Sequence, residues 1–151
     1  MRDLLVMSLD AEQIPLTERH PNVGIAPVQT LLTFYTAFHD VRVPWQRSLR
    51  SLRSRASMLR GLGYWAGNCL LGYILYESRE DNFAIYDLAV KPDVPQRVEI
   101  AQHLLVALHA ARTDMGSYII NFPAEDPLAS AFLNLPYRIW QRQHEMAWHV
   151  E

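Results

Sequence analysis

The sequence has one cysteine, Cys69, and one lysine, Lys91, in 151 residues. A lone cysteine excludes an internal disulfide and fits a reducing compartment, so the cytoplasm is the expected location, with oxidative dimerisation left open. Long apolar runs are missing too. None approaches the roughly 18 to 20 residues a helix needs to cross a bilayer. The run from Leu4 to Met7 is too short for a signal-peptide core and is closed by charge at Asp10. Neither sign of charge dominates: 14 basic against 16 acidic residues give a formal net charge of −2. That balance provides no general attraction to nucleic acid or to an anionic membrane, and neither is expected as a partner. The 6 histidines show no ligand spacing such as His-Glu-x-x-His, so no metal is expected. Neither a Gly-x-Ser-x-Gly elbow nor a Walker loop is present, which leaves hydrolase and nucleotide triphosphatase readings without support. Internal repeats and low-complexity segments are absent as well.

Half of the residues are hydrophobic, enough for one domain with a real core. Leu4 to Leu9 read as a short strand, followed by a polar loop that carries Pro15 and Pro21. From Pro27, residues Val28, Leu31, Leu32, Tyr35 and Phe38 recur at helical spacing and predict one helix. Trp45, Leu49, Leu52, Ala56 and Leu59 predict a second, with Arg47, Arg50, Arg53 and Arg55 on its solvated face. Two apolar stretches joined by Gly67 and Asn68 read as a hairpin. Phe83 to Val90 add a third antiparallel strand.

After "KPDVP" comes a helix with a core face of Val98, Ala101, Leu104, Leu105, Leu108 and Ala111, ended near Met115 and Gly116. "SYIINF" is a further strand, "PLASAFLNL" a short helix from Pro127, and "RIWQRQHEMAWHV" a final strand or two. The strand-helix-strand passage from Phe83 to Phe122 implies one parallel crossover in an otherwise antiparallel sheet. The predicted class is therefore α/β (α+β), a mixed, mostly antiparallel sheet with helices on both faces.

This order, together with "LLGYILYE", "IYDLAVKP" and "IINFPAEDPLASAFLNLPY", resembles the Gcn5-related N-acetyltransferase (GNAT) fold over roughly Pro27 to Val150. The resemblance implies an acyl-CoA N-acyltransferase that moves an acetyl group from acetyl-CoA to an amine, either a small molecule or a peptide. It also implies that backbone amides after the fourth strand hold the cofactor's pyrophosphate, in a Gln/Arg-x-x-Gly-x-Gly/Ala pattern. The matching residues are Gln96, Arg97, Val98, Glu99, Ile100 and Ala101, so a glutamate takes the place of the first glycine. A carboxylate about 5 Å from a phosphate charge, at an effective dielectric near 20, repels it by about 3 kcal/mol. The same carboxylate stabilises the empty helix by about 0.3 to 1 kcal/mol through the dipole. Weak or lost acetyl-CoA binding is the expectation.

The resemblance further assigns thioester polarisation to a backbone amide in Leu88, Ala89 or Val90, and a contact to the pantetheine arm or the acceptor to Asn121 and Asp126. Asp126, before Pro127, also reads as a helix N-cap. Asp87 is the candidate base, ahead of Glu77, His39 and His20. The family's acid tyrosine is replaced by Phe132 and Leu133, neither of which can give a proton, and Tyr137 is expected to pack.

"DLLVMSLD" resembles a GNAT closing strand and compares with "QHEMAWHV" at the other end. The chain therefore resembles the second, degenerate domain of a tandem GNAT protein, with residues 1–26 as strand and linker and 27–151 as the GNAT-like domain. The strand could equally be the domain's own or pair with another subunit, and a homodimer is a family-level expectation. The alternative to an enzyme is a catalytically degenerate domain serving as a binding or dimerisation module.

Overall fold

The computed structural model describes residues 2–13 and 18–145. Pro15, in the expected loop, and Met146 to Val150, in the expected closing strand, lie outside them. The described strands are β1 Arg2–Leu9, β2 Val23–Ile25, β3 Arg60–Ala66, β4 Cys69–Ser78, β5 Asn82–Val90, β6 Gly116–Pro123 and β7 Arg138–Glu145. They form one sheet in the order β2-β3-β4-β5-β6-β1-β7. The helices are α1 Val28–Leu32, α2 Tyr35–Phe38, α3 Leu49–Ser54, α4 Arg97–Ala110 and α5 Ala129–Asn134.

The Gly67-Asn68 turn forms as the sequence predicts, with Gly67 at φ 60, and β3, β4 and β5 pair antiparallel in succession. β5 pairs parallel with β6, and α4 makes the crossover. The sheet's two faces carry separate cores. One holds Ile100, Ala101, Leu104, Leu105 and Leu108 of α4 with Phe132 of α5. The other holds Leu31, Tyr35, Phe38 and Leu52 of the first three helices. Each leucine, isoleucine or phenylalanine among them taken from water contributes roughly 1.5 to 3 kcal/mol. A Cβ at Gly61 of β3 would stand 2.5 Å from a Leu31 methyl, so glycine is what lets α1 settle on the sheet.

β1 lies between β6 and β7, antiparallel to both, with Leu5 opposite Phe122 on one side and Arg142 on the other. The strand thus shares the sheet's hydrogen bonding, and Leu5, Met7 and Leu9 enter the α4 core.

Five local expectations are corrected. The first predicted helix is two short ones, because the Thr33 hydroxyl bonds back to the Thr30 carbonyl (2.6 Å) where α1 stops. The second is shortened to α3, since Ser48 caps it by accepting from the Ser51 N–H (3.2 Å). Trp45 is left outside α3 and is 76% exposed rather than core. Arg47 is also left outside, and instead of lying on a solvated face it is buried. Finally, α4 ends at Ala110, so Ala111 is exposed and Gly116 opens β6.

Candidate active site

The sheet divides between β5 and β6. Their parallel pairing runs from Asn82 opposite Gly116 to Ile85 opposite Ile119 and stops there. Each strand carries an irregularity at that point. Against β4, Asp87 faces Leu75 while Ile85 faces Tyr76, so Tyr86 is an extra residue. Against β1, Phe122 faces Leu5 while Ile119 faces Met7, so β6 also gains one, with Asn121 at φ 57. Asparagine tolerates that left-handed backbone better than most residues. Bulges bend the strands that carry them, and here two of them meet where the strands part.

Past the division, β5 keeps β4 on one side and has an open edge on the other. Arginines fill two of its carbonyls: Arg47 Nε donates to the Tyr86 carbonyl (3.1 Å) and Arg97 Nε to the Val90 carbonyl (3.2 Å). The two-residue alternation of a strand puts Leu88 on the same edge, midway. Leu88, Ala89 and Val90 are all buried.

The bulge also turns Asp87 into the helical face, where it is fully buried. One carboxylate oxygen accepts from Arg47 Nη2 (2.8 Å), the other from the Tyr73 hydroxyl (2.7 Å), and the latter oxygen also meets His39 Nε2 (2.9 Å). Burial alone would raise its pKa. The His39 and Arg47 charges and the hydrogen bonds from His39 and Tyr73 outweigh burial and hold it at about 2. A carboxylate so held takes a proton poorly, and its fixed bonds suit orienting His39 better than deprotonating an amine. Because the ionised carboxylate only accepts, His39 carries a proton on Nε2, and in the neutral imidazole Nδ1 then keeps a lone pair. The Tyr35 ring lies tilted against His39 (ring centroids 4.3 Å apart), and its hydroxyl donates to the Arg47 carbonyl (2.8 Å), its own pKa raised mainly by burial. Arg47 also lies 4.8 Å over the Phe122 ring of β6, spanning the divide, and its Nη1 is buried without a hydrogen-bond partner.

α4 starts at this same end. Gln96 stands at its N-cap position and no side chain caps it, so the first-turn amides have no side-chain acceptor. Arg97 reaches away to Asp40, donating from both terminal nitrogens (2.6 and 3.1 Å), and these bonds are the main reason the Asp40 pKa is lowered. His39 and Asp40 together therefore strap the chain after α2 across β5 and the start of α4. Val98 is half-buried, while Ile100 and Ala101 are core. Glu99 is exposed and, together with Gln96 and Ile100 of the same turn, lines a cavity of about 390 Å³ with Asn22, Tyr64 and His103.

Asp126 is buried and caps the turn before α5 by accepting from the Leu128 N–H (2.9 Å). Burial raises its pKa, while that N–H and the charges of Arg47, Arg97 and His39 oppose the rise. The other base candidates lie apart: Glu77 accepts from the Tyr86 hydroxyl, and His20 packs on His103 with ring centroids 4.3 Å apart. Phe132 is fully buried, and Tyr137 packs on it edge-on at 5.0 Å. The structure thus gathers Asp87 to Val90, Gln96 to Ala101 and Asp126 at one end of the divided sheet, and adds Arg47 and Tyr73, which no sequence pattern singles out.

A mixed sheet divided at a bulged strand, with a long helix leaving that strand, is the fold of the GNAT superfamily, and this chain has it. Similar solved structures include a GCN5-related N-acetyltransferase from Sphaerobacter thermophilus (TM-score 0.61, 15% identity) and a GNAT-family acetyltransferase from Colwellia psychrerythraea (TM-score 0.61, 19% identity). A conserved protein of unknown function from Staphylococcus epidermidis is also similar (TM-score 0.64, 13% identity). Each likeness covers 93% of this chain but only 49%, 53% and 58% of those chains, in the same order. At these identities the likeness is one of fold. No protein-family model matches the chain, and no curated protein matches its sequence.

Proposed function

We propose that the chain is an acetyl-CoA-dependent N-acetyltransferase in which His39, oriented by Asp87, is the general base. The observation that carries this reading is the His39–Asp87 pair beside the open edge of β5, at the end where α4 begins uncapped. When bound, acetyl-CoA supplies an activated acetyl thioester. The α4 amides from Arg97 to Glu99 are suited to its pyrophosphate, with Gln96, Val98, Ile100 and Ala101 shaping the turn. The N–H of Leu88, Ala89 or Val90 is suited to its carbonyl oxygen, with Leu88 favoured by the strand's alternation. The charge of Glu99 stays in this turn and opposes a phosphate there. The Arg97–Asp40 pair stands beside the same turn and must open or stay aside when a phosphate arrives.

His39 Nδ1 takes the proton from the attacking amine, and Asp87 steadies the imidazolium that results. No tyrosine in the short helix returns a proton to the leaving thiolate, which at neutral pH is a tolerable leaving group because thiol pKa values lie near 8.5.

The test is thiol release from acetyl-CoA with a panel of small amines and N-terminal peptides. Wild type should turn over at least one of them. His39→Gln should lose roughly 100-fold in kcat with little change in KM for acetyl-CoA. Unchanged kinetics in His39→Gln would remove the base assignment. A second reading, a non-catalytic binding or dimerisation module, is favoured by Arg97 being tied to Asp40 and by the missing acid. Cofactor binding without turnover of any amine would support it.

A further inference from the structure

On the face of the sheet that carries α1 to α3, a cavity of about 270 Å³ opens next to the last β5–β6 pair. Its cationic lining is Arg47, Arg55 and Arg79, its aromatic lining Tyr86 and Tyr118, and no carboxylate lines it. We propose that this cavity binds a small carboxylate with an apolar body.

The charges favour an anion. Arg47 is balanced by Asp87 from behind, and Arg79 stands 3.6 Å from Glu77 at the side. Arg55 is exposed and lies 5.6 Å over the Tyr86 ring with no ion pair among the described residues, so one cation is left uncompensated. Arg47, 4% exposed, lines the cavity too, but its acceptor-free Nη1 is shut off from solvent, so Arg55 is the guanidinium a ligand reaches directly. A carboxylate oxygen is among the strongest acceptors a ligand can bring to it.

The geometry also fixes the donors. Arg79 donates to the Tyr118 hydroxyl and to the Tyr86 hydroxyl (3.3 Å), and the Tyr86 hydroxyl donates in turn to Glu77 (3.1 Å). That chain of bonds holds both rings and one guanidinium in place before any ligand arrives. Beside them Ile120 is 49% exposed, an apolar surface for the ligand's body.

Binding here does not depend on acyl transfer. If the acyl-transfer reading holds, the ligand is the acceptor, an amine that also carries a carboxylate, because Arg47 belongs both to this cavity and to the cluster that holds His39.

The experiment is an amide-resolved NMR titration of the full chain with phenylacetate, and with phenylacetamide as the uncharged isostere, both without acetyl-CoA. Phenylacetate should shift the amides of Ala84 to Tyr86 and Tyr118 to Ile120 in a saturable way below about 20 mM, and phenylacetamide should not. Arg55→Gln and Arg79→Gln should each weaken binding about 3- to 10-fold, while Arg50→Gln, on the exposed side of α3, should leave it unchanged. The same spectra report whether each variant is folded. No saturable shift with phenylacetate, equal shifts with phenylacetamide, or wild-type binding in both arginine variants would overturn the proposal. A negative result in the amine panel with a positive titration would fault the acyl-transfer reading alone.

Discussion

Two buried polar clusters sit in this fold, and they are built on opposite principles. The Asp87 cluster is charged: one carboxylate, one guanidinium and a histidine gathered under the open edge of β5. The His109 cluster is neutral. There His109 bonds the Met115 carbonyl (3.1 Å), the Ser117 hydroxyl (2.8 Å) and the Tyr137 hydroxyl (3.2 Å), and burial holds its pKa down. Both its ring nitrogens are occupied, so it pins α4 to β6 and to the turn before β7, and it has no free lone pair to offer. The charged cluster leaves Arg47 Nη1 without a partner and His39 Nδ1 available. Burying charge rarely adds stability over an apolar core. A charged cluster beside a divided sheet is therefore better explained by chemistry than by folding, and the neutral one by folding alone.

The largest effect should come from breaking the charged cluster. Asp87→Asn leaves Arg47 buried without its counter-charge and should cost about 3 to 5 kcal/mol in urea unfolding. A cost under about 1 kcal/mol would mean that water reaches the site freely. Next comes Glu99→Gly, which removes about 3 kcal/mol of repulsion and should tighten acetyl-CoA by up to roughly a hundredfold in calorimetry.

Acid should then separate the clusters by pH. Asp87 is held at about 2 against an ordinary 3.8, so the unfolded chain takes up the proton first as pH falls. Its contribution, roughly 2 kcal/mol, is complete above about pH 5 and is lost between about pH 4 and pH 2. His109 is held below its ordinary 6.5, so the unfolded chain again binds the proton first and stability falls earlier, as pH drops through the histidine range. His103, lowered by its own burial and by His20, adds to that earlier step. In His109→Gln the earlier step should shrink while the later one stays, which unfolding curves across pH would show. The smallest effect belongs to Tyr137→Phe, which leaves the Ser117–His109 bond in place and should cost about 1 kcal/mol with no change in ligand binding.

Much of the fold is legible in the sequence because its signals are local. The Gly67-Asn68 turn, the apolar run of β5 and the spacing of Ala101, Leu104, Leu105 and Leu108 each act within a few residues. What escaped depends on distant partners. Arg47 reads as one more arginine on a polar helix face until the Ser48 cap shifts the helix start and Asp87, 40 residues on, receives its guanidinium. The pairing of β1 with β7 joins Leu4 to Gln143, and no local pattern in "LLVM" could choose that neighbour. The site was half legible for the same reason. Gln96 to Ala101 could be matched by motif, whereas the role of Asp87 depends on a bulge that turns it inward, a feature with no sequence signature.

The most direct measurement is the thermal midpoint of wild type with and without millimolar acetyl-CoA. At about 100 times its dissociation constant a ligand adds roughly 2.7 kcal/mol of stability, which for a domain of this size raises the midpoint by about 5 to 11 °C. Such a rise is expected in wild type and a larger one in Glu99→Gly. No rise in either protein would contradict the central claim that the divided sheet and the start of α4 form an acetyl-CoA site.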